Sequence, residues 1–306
     1  MKEKYLLSII ESNSHEKISQ ISKFISSFQN NQRFLVGNFP ISTREIEMQI
    51  REYLRKQPQS FFQVAHDRSG KIRGFFGTAF SDPNTVRMFG PFAIEIENEW
   101  EEIAEKFLHK ILEKYKQLKN GKLRVAFTQK NTCLKRFYSE HGFLQYNAER
   151  TLIFDRNQWH KERIGIINDK KGKIKIRPYK KSDFVGLLKI HPRGAYYNVR
   201  DMVKNLNSLH RLLIAVLDEQ MVGYIYYEDF EADGLTDICF LNVMRYARNR
   251  NIGTMLVKKA IGDSFQNRKI KKIEISVRVD NIAAFRLYQR LGFSEKITYL
   301  AYELKL

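Results

Sequence analysis

The sequence predicts an α/β protein built as two tandem copies of one domain-sized unit, each a mixed, mostly antiparallel sheet flanked by helices. Two observations lead there. Between residues 238 and 293 the chain runs through an apolar strand, a turn rich in arginine and asparagine, an amphipathic helix, a second strand and a short helix. Residues 123–143, LRVAFTQKNTCLKRFYSEHGF, also align with 273–293, IEISVRVDNIAAFRLYQRLGF, at a constant offset of 150. Asn131 then meets Asn281, Arg136 meets Arg286, Tyr138 meets Tyr288, and Gly142-Phe143 meets Gly292-Phe293. Upstream, 60–80 parallels 210–230, each a strand, a turn and a second strand. A repeat of this length is a duplicated domain rather than a solenoid. The copies are expected at 1–155 and 172–306, joined by the polar stretch 155–173.

In the second copy a first strand is expected at 173–178. Ser182-Asp183 then caps a helix at 184–190, a loop spans 191–200, and a helix covers 201–209. Strands follow at 212–217, 222–227 and 238–243. A helix at 252–265 buries Ile252, Met255, Leu256, Ala260 and Ile261. The remaining elements are a strand at 273–279, a helix at 281–291 and a closing strand at 297–304.

The chemistry concentrates where the strand at 238–243 meets the helix at 252–265. Arg248, Arg250, Asn251 and Gly253 stand at that junction. A helix start offers unpaired N–H groups and the positive end of its dipole, and two arginines add charge-assisted hydrogen bonds, so the junction suits a phosphate or pyrophosphate. On the last helix, Ala283, Leu287 and Leu291 form an i, i+4, i+8 stripe that reads as packing on the sheet. Asn281, Ala284 and Tyr288 lie on another face, a polar–small–polar pattern better explained by a ligand.

These residues resemble the GNAT superfamily of acetyl-CoA-dependent N-acetyltransferases. The family's signature is Arg or Gln, two residues, Gly, one residue, then Gly or Ala. Here it reads Arg248-Asn249-Arg250-Asn251-Ile252-Gly253, with Asn251 at the first glycine. Asparagine is the side-chain-bearing residue that best tolerates left-handed backbone angles. The stretch from Asn281 through Tyr288 to Gly292-Phe293 matches without a gap, and the resemblance covers about 172–306. It implies that Arg248, Asn249, Arg250, Asn251, Ile252, Gly253 and Thr254 bind the pyrophosphate. Leu241, Asn242 and Val243 would bind the pantetheine arm and thioester, with Asn281, Ala284 and Tyr288 as further cofactor contacts. It implies direct attack of an amine on acetyl-CoA, with Tyr288 protonating the departing thiolate and Asp237 or Glu228 as general base. His191 and His210 are weaker candidates for that base. The acceptor cleft would take Arg193, Tyr196, Tyr197 and Arg200, and the acceptor is a small-molecule or peptide amine.

The first copy is expected to keep the sheet and to have lost the cofactor. Subtracting 150 from the signature leads to Asn98-Glu99-Trp100-Glu101-Glu102-Ile103, with Glu95 and Glu97 just before it. Acidic residues stabilise a helix start but repel a pyrophosphate, and Tyr138 then reads as a core residue.

Composition bounds the rest. The chain has 306 residues, is 43% hydrophobic and carries 22 Phe and 15 Tyr, enough for two cores. Of the net charge of +19, +7 falls in 1–150 (24 basic, 17 acidic) and +12 in 151–306 (29 basic, 17 acidic). The excess is spread and carries no nucleic-acid motif, so nucleic acid is the minor expectation. It supports the alternative function, a non-catalytic acetyl-CoA-responsive protein with a basic surface for an acidic partner. Cys133 and Cys239 are the only cysteines and read as two buried thiols, with no metal expected. No apolar run approaches a membrane span and the start lacks a secretory pattern, so the expected location is cytoplasmic, with no membrane partner. The sequence leaves oligomeric state open.

Overall fold

Alternating apolar residues build the strands of this chain, and i, i+3, i+4 apolar stripes build the helices that cover them. The computed structural model describes residues 4–11, 14–37, 39–94, 99–159 and 173–306. In chain order the elements are β1 (Leu6–Ile9), α1 (His15–Gln29), α2 (Thr43–Lys56), β2 (Phe61–His66), β3 (Ile72–Asp82), β4 (Thr85–Ala93), α3 (Glu99–Tyr115), β5 (Lys122–Thr128) and α4 (Thr132–Glu140). Then come β6 (Leu144–Asp155), β7 (Ile174–Pro178), α5 (Phe184–Ile190), α6 (Val199–Lys204), β8 (His210–Leu217), β9 (Gln220–Phe230) and β10 (Leu235–Val243). The chain closes with α7 (Ile252–Gln266), β11 (Lys272–Arg278), α8 (Ile282–Arg290) and β12 (Ser294–Lys305). No described helix is long and apolar enough to cross a membrane.

The chain folds as two units. The first comprises residues 1–148 together with Ile297–Leu306, and the second Glu149–Lys296. Within the first, the strands run β1-β2-β3-β4-β5-β12, all antiparallel except the β4–β5 pair. Within the second they run β6-β11-β10-β9-β8-β7, all antiparallel except β10–β11. In the second unit, Ile225, Tyr227, Ile238 and Ile275 pack under α7 and α8, while Tyr224, Tyr226 and Ile214 face α5 and α6.

The units depart from the expected spans 1–155 and 172–306 at two strands. Residues 149–155 of β6 pair with β11, and residues 299–305 of β12 pair with β5. The closing strand of each sequence repeat therefore belongs to the unit built by the other. Both strands have the same alternating pattern, and alternation fixes which face is buried without naming the neighbour.

Other corrections are local. The helix expected at 201–209 is only Val199–Lys204, because Asn207 turns the chain: its Oδ1 accepts from the N–H of Leu209 and of His210. Asp237 lies inside β10 rather than at its start. Both cysteines are half-buried, not fully buried. On α8 the buried residue is Tyr288, while Ala283 of the supposed packing stripe is exposed.

Candidate active site

β10 and β11 run side by side only from Leu235↔Lys272 to Ile238↔Ile275. At Cys239 the register of β10 against β9 shifts by one residue, a bulge that bends the strand. Beyond it β10 follows β9 while β11 follows β6, so the two parallel strands splay. The opening is a cleft of about 970 Å³, lined by the end of β10, the N-terminus of α7, the end of β11 and one face of α8.

The hydrogen-bond alternation of β10 sets what its backbone offers this cleft. Met244 N–H donates to Val222 O, so by alternation the N–H of Phe240 and Asn242 also turn toward β9. The N–H groups of Leu241 and Val243 point the other way, into the cleft. Asn242 is thereby separated from its two expected partners. Its backbone pairs with Tyr224, and its Nδ2 donates to the Tyr224 hydroxyl at 3.3 Å.

Asn251 begins α7 with left-handed angles (φ 60, ψ 10) and makes no side-chain cap. Asn249 is left-handed as well (φ 62). Among the described residues, the N–H groups of Ile252, Gly253 and Thr254 donate to nothing, because the first helical bond is Met255 N–H to Asn251 O. Arg248 and Arg250 are exposed beside them, and Arg248 Nε donates to Val243 O at 3.1 Å. A Cβ on Gly253 would stand 3.1 Å from Leu287 Cδ1, which shows how closely α7 approaches α8 there.

Tyr288 lines the cleft from α8 with its ring buried against Phe293. Burial pushes its phenol well above the ordinary value, so the hydroxyl keeps its proton. Asn281 caps α8, its Oδ1 accepting from Ala284 N–H at 3.2 Å. Asn131 does the same for α4 through Leu134 N–H at 3.0 Å, so capping accounts for the repeated asparagine in both copies.

The candidate bases sit on the face under α5 and α6. Asp237 is the cross-strand partner of both Glu228 and Glu274. Burial, with these two carboxylates adding to it, raises Asp237 to about 6. Glu228 is buried and its Oε1 accepts from the Tyr226 hydroxyl at 2.8 Å. His191 is occupied: its Nε2 meets Tyr197 O and its Nδ1 meets the Tyr224 hydroxyl, both at 2.7 Å. Nε2 must donate to that carbonyl, which leaves Nδ1 to accept and no nitrogen free for a substrate. Tyr196 stacks on Phe240 with ring centroids 4.9 Å apart, and Arg193 lines the cleft, while Arg200 is exposed on α6. No cluster of three or more His, Cys, Asp or Glu among the described residues is arranged to hold a metal ion.

The equivalent place in the first unit is closed. β4 and β5 pair only through Arg87↔Arg124, and beyond that the splay is filled by residues 35–37. Thr128 N–H donates to Leu35 O and Gly37 N–H to Ala126 O, so chain backbone stands where the second unit has open space. The buried Gln29 side chain ties this plug down: Nε2 donates to Val36 O, Phe39 O and Pro40 O, and Oε1 accepts from Val36 N–H. Pro91 stands where the second unit has Leu241 and has no N–H to offer. Tyr138 is fully buried and its hydroxyl donates to Gly90 O at 2.6 Å. At the start of α3, Glu99 pairs with Lys4 and Tyr5. Glu95, Glu97 and Asn98 lie outside the described residues.

Sequence reasoning missed the plug, the bulge at Cys239, and Glu149, which reaches the cleft from β6. Of these, only the plugged splay carried a readable signal, the missing donor at Pro91 where the second copy has Leu241.

Residues 176–293 match the acetyltransferase (GNAT) family. No curated protein matches the chain. Among solved structures it is similar to a GCN5-related N-acetyltransferase from Sphaerobacter thermophilus, with TM-score 0.70 and 14% identity over 100% of this chain and 96% of that one. A tandem GNAT protein from the clavulanic acid biosynthesis pathway follows, with TM-score 0.67 and 12% identity over 98% of each chain. The glucosamine N-acetyltransferase region of a fungal multi-domain β-N-acetylglucosaminidase has TM-score 0.65 and 15% identity over 98% of this chain and 38% of that one. These likenesses run the length of both units, whereas the family match falls inside the second. Residues 176–293 thus match the acetyltransferase (GNAT) family, and the chain as a whole is similar in fold to tandem GNAT proteins.

Proposed function

We propose that the second unit transfers an acetyl group from acetyl-CoA to a primary amine of a small molecule or peptide, and that the first unit binds no cofactor. The observation that carries this reading is the contrast between the two splayed strand pairs. One opens onto free N–H groups, two exposed arginines and a tyrosine hydroxyl; the other is filled by backbone and lacks a donor at Pro91.

Acetyl-CoA supplies an activated thioester, and the residues of the cleft fit it. The first-turn N–H groups of α7, with Arg248 and Arg250, hold the pyrophosphate. The N–H of Val243 and of Leu241 hydrogen-bond the pantetheine arm and the thioester carbonyl, where negative charge develops on attack. Holding donor and acceptor together lowers the barrier by several kcal/mol, of order 7 or more for ideal alignment. Asp237 takes a proton from the incoming amine, and its position near 6 leaves it ionised at neutral pH. Tyr288, kept protonated by burial, delivers a proton to the departing sulfur.

Calorimetric titration with acetyl-CoA tests the reading, beside an Arg248→Ala/Arg250→Ala double variant. One site per chain in the wild type, weakened at least tenfold in the variant, is the expected result. An acetylation assay with spermidine, glucosamine and a lysine peptide then tests the acceptor class; the amino sugar is included because of the glucosamine N-acetyltransferase likeness. No heat with acetyl-CoA would sink the proposal, and two sites per chain would sink the assignment of the first unit.

A further inference from the structure

Four titratable side chains stand in one row across four neighbouring strands of the second unit, on the face under α5 and α6. His210 on β8 is the cross-strand partner of Glu228 on β9, Glu228 of Asp237 on β10, and Asp237 of Glu274 on β11. The far end of the row is neutralised, since Lys296 and Lys272 lie 2.7 and 3.6 Å from Glu274. The near end is not. His210 Nδ1 lies 3.2 Å from Glu228 Oε1 and 3.3 Å from the Tyr226 hydroxyl, which itself donates to the same Oε1 at 2.8 Å. Glu228 is only 5% exposed at its side chain while the imidazole is 28% exposed. His210 Nε2 has no partner among the described residues. The row thus joins Asp237, a half-buried carboxylate two residues from the bulge where the cleft opens, to a partly exposed imidazole.

A simple structural pairing of Glu228 with His210 would explain their contact alone. It does not explain why Asp237 and Glu274 extend the same cross-strand row, or why a third partner, Tyr226, bridges the same two atoms. An enclosed base needs an exit for each proton it removes, and a carboxylate–imidazole chain is such an exit. We propose that His210 is the proton outlet of the acceptor site, receiving by way of Glu228 and Tyr226 the proton that Asp237 takes from the amine. The inference rests on the acetyl-transfer reading above.

The proton count closes. An ammonium acceptor loses two protons as its C–N bond forms and the C–S bond of the thioester breaks. One restores the proton Tyr288 gives to the thiolate, and the other leaves through the row. His210 Nδ1 accepts that proton while Nε2 gives its own to water, so one proton is released per turnover. His210 acts through Asp237 and is a relay and positioning residue. The charged or titratable groups around it and its partners are Tyr196 and Tyr197 from the loop before α6, Tyr226 and Glu228 from β9, Asp237 and Cys239 from β10, and Glu274 with its lysines. Burial with Glu274 and Glu228 nearby puts Asp237 at about 6, suited to handing a proton on near neutrality.

His210→Gln keeps a side-chain donor for Glu228 but cannot cycle a proton. With the panel amine turned over fastest, we expect kcat at pH 7 to fall about 100-fold, with KM for acetyl-CoA unchanged. Added imidazole should restore part of that kcat, and should restore nothing in Tyr288→Phe. Tyr226→Phe is the second variant, with a smaller loss expected and no change in folding. In protein free of acetyl-CoA, the NMR signals of the His210 ring should shift in Glu228→Gln. Wild-type kcat and pH profile in His210→Gln would overturn the outlet, as would a loss that imidazole does not restore, or ring signals indifferent to Glu228→Gln. A wild type that acetylates none of the amines overturns the acetyl-transfer reading itself, a failure visible before any variant is made.

Discussion

Tyr138 and Tyr288 hold the same position in the two repeats and differ in what their hydroxyls meet. Tyr138 donates to Gly90 O inside the first core, whereas Tyr288 has no such partner among the described residues and lines the cleft. Tyr138→Phe should cost about 1 kcal/mol in urea denaturation and leave kcat untouched. Tyr288→Phe should leave the melting temperature near wild type and lower kcat about 100-fold in the same assay. Asp237 gives a pH prediction with a definite sign. Its folded value of about 6 lies above the unfolded value of about 3.9, so the folded form holds the proton longer. The difference weakens the fold as pH rises from about 4 to 6, by about 3 kcal/mol, and by a constant amount above that. Asp237→Asn should therefore melt higher than wild type at pH 7.5, show no such gain near pH 4, and lose the rise of kcat/KM through pH 6.

At the scale of elements, function turns on two junctions. Asn251 starts α7 in the left-handed region, where a Cβ without a helpful polar side chain is strained. Asn251→Gly should be neutral or stabilising and keep acetyl-CoA affinity, while Asn251→Ala should cost about 1 kcal/mol and weaken binding by calorimetry. The counterpart in the first unit is the 35–37 plug. Gln29→Leu would leave the Val36 N–H and three carbonyls without their partner. We expect a loss of about 3 kcal/mol in urea denaturation with no new acetyl-CoA site, since Pro91 still lacks a donor. The signature turn, its helix and Tyr288 were legible in sequence because each depends on neighbours a few residues away. The plug was not, since it joins residues 35–37 to 126–128, and neither segment carries a local pattern that names the other.

The whole molecule carries two copies of one fold with unequal clefts, so its binding should be that of one site. Saturating acetyl-CoA at about 100 times Kd should stabilise the chain by about 2.7 kcal/mol, a melting shift that Arg248→Ala/Arg250→Ala removes. Spread positive charge has no place in this account beyond Arg248 and Arg250. Of the expected acceptor residues, Arg193, Tyr196 and Tyr197 gather beside the cleft or the base row and Arg200 is exposed on α6; of the candidate bases, His191 is consumed by its own hydrogen bonds.

By itself the sequence determined the duplication, the order of strands and helices in the second copy, and the strand-to-helix turn that carries Arg248, Arg250 and Asn251. Those rest on periodicity, on turn chemistry and on an offset of 150 that survives in both copies. Tertiary structure alone decided which strand closes which unit, which of the two splays stays open, and which titratable groups line up. Partner choice between strands of equal pattern, backbone filling a gap, and the His210–Glu228–Asp237 register all depend on contacts between residues far apart in the chain. Local propensity and spacing carry no information about such contacts.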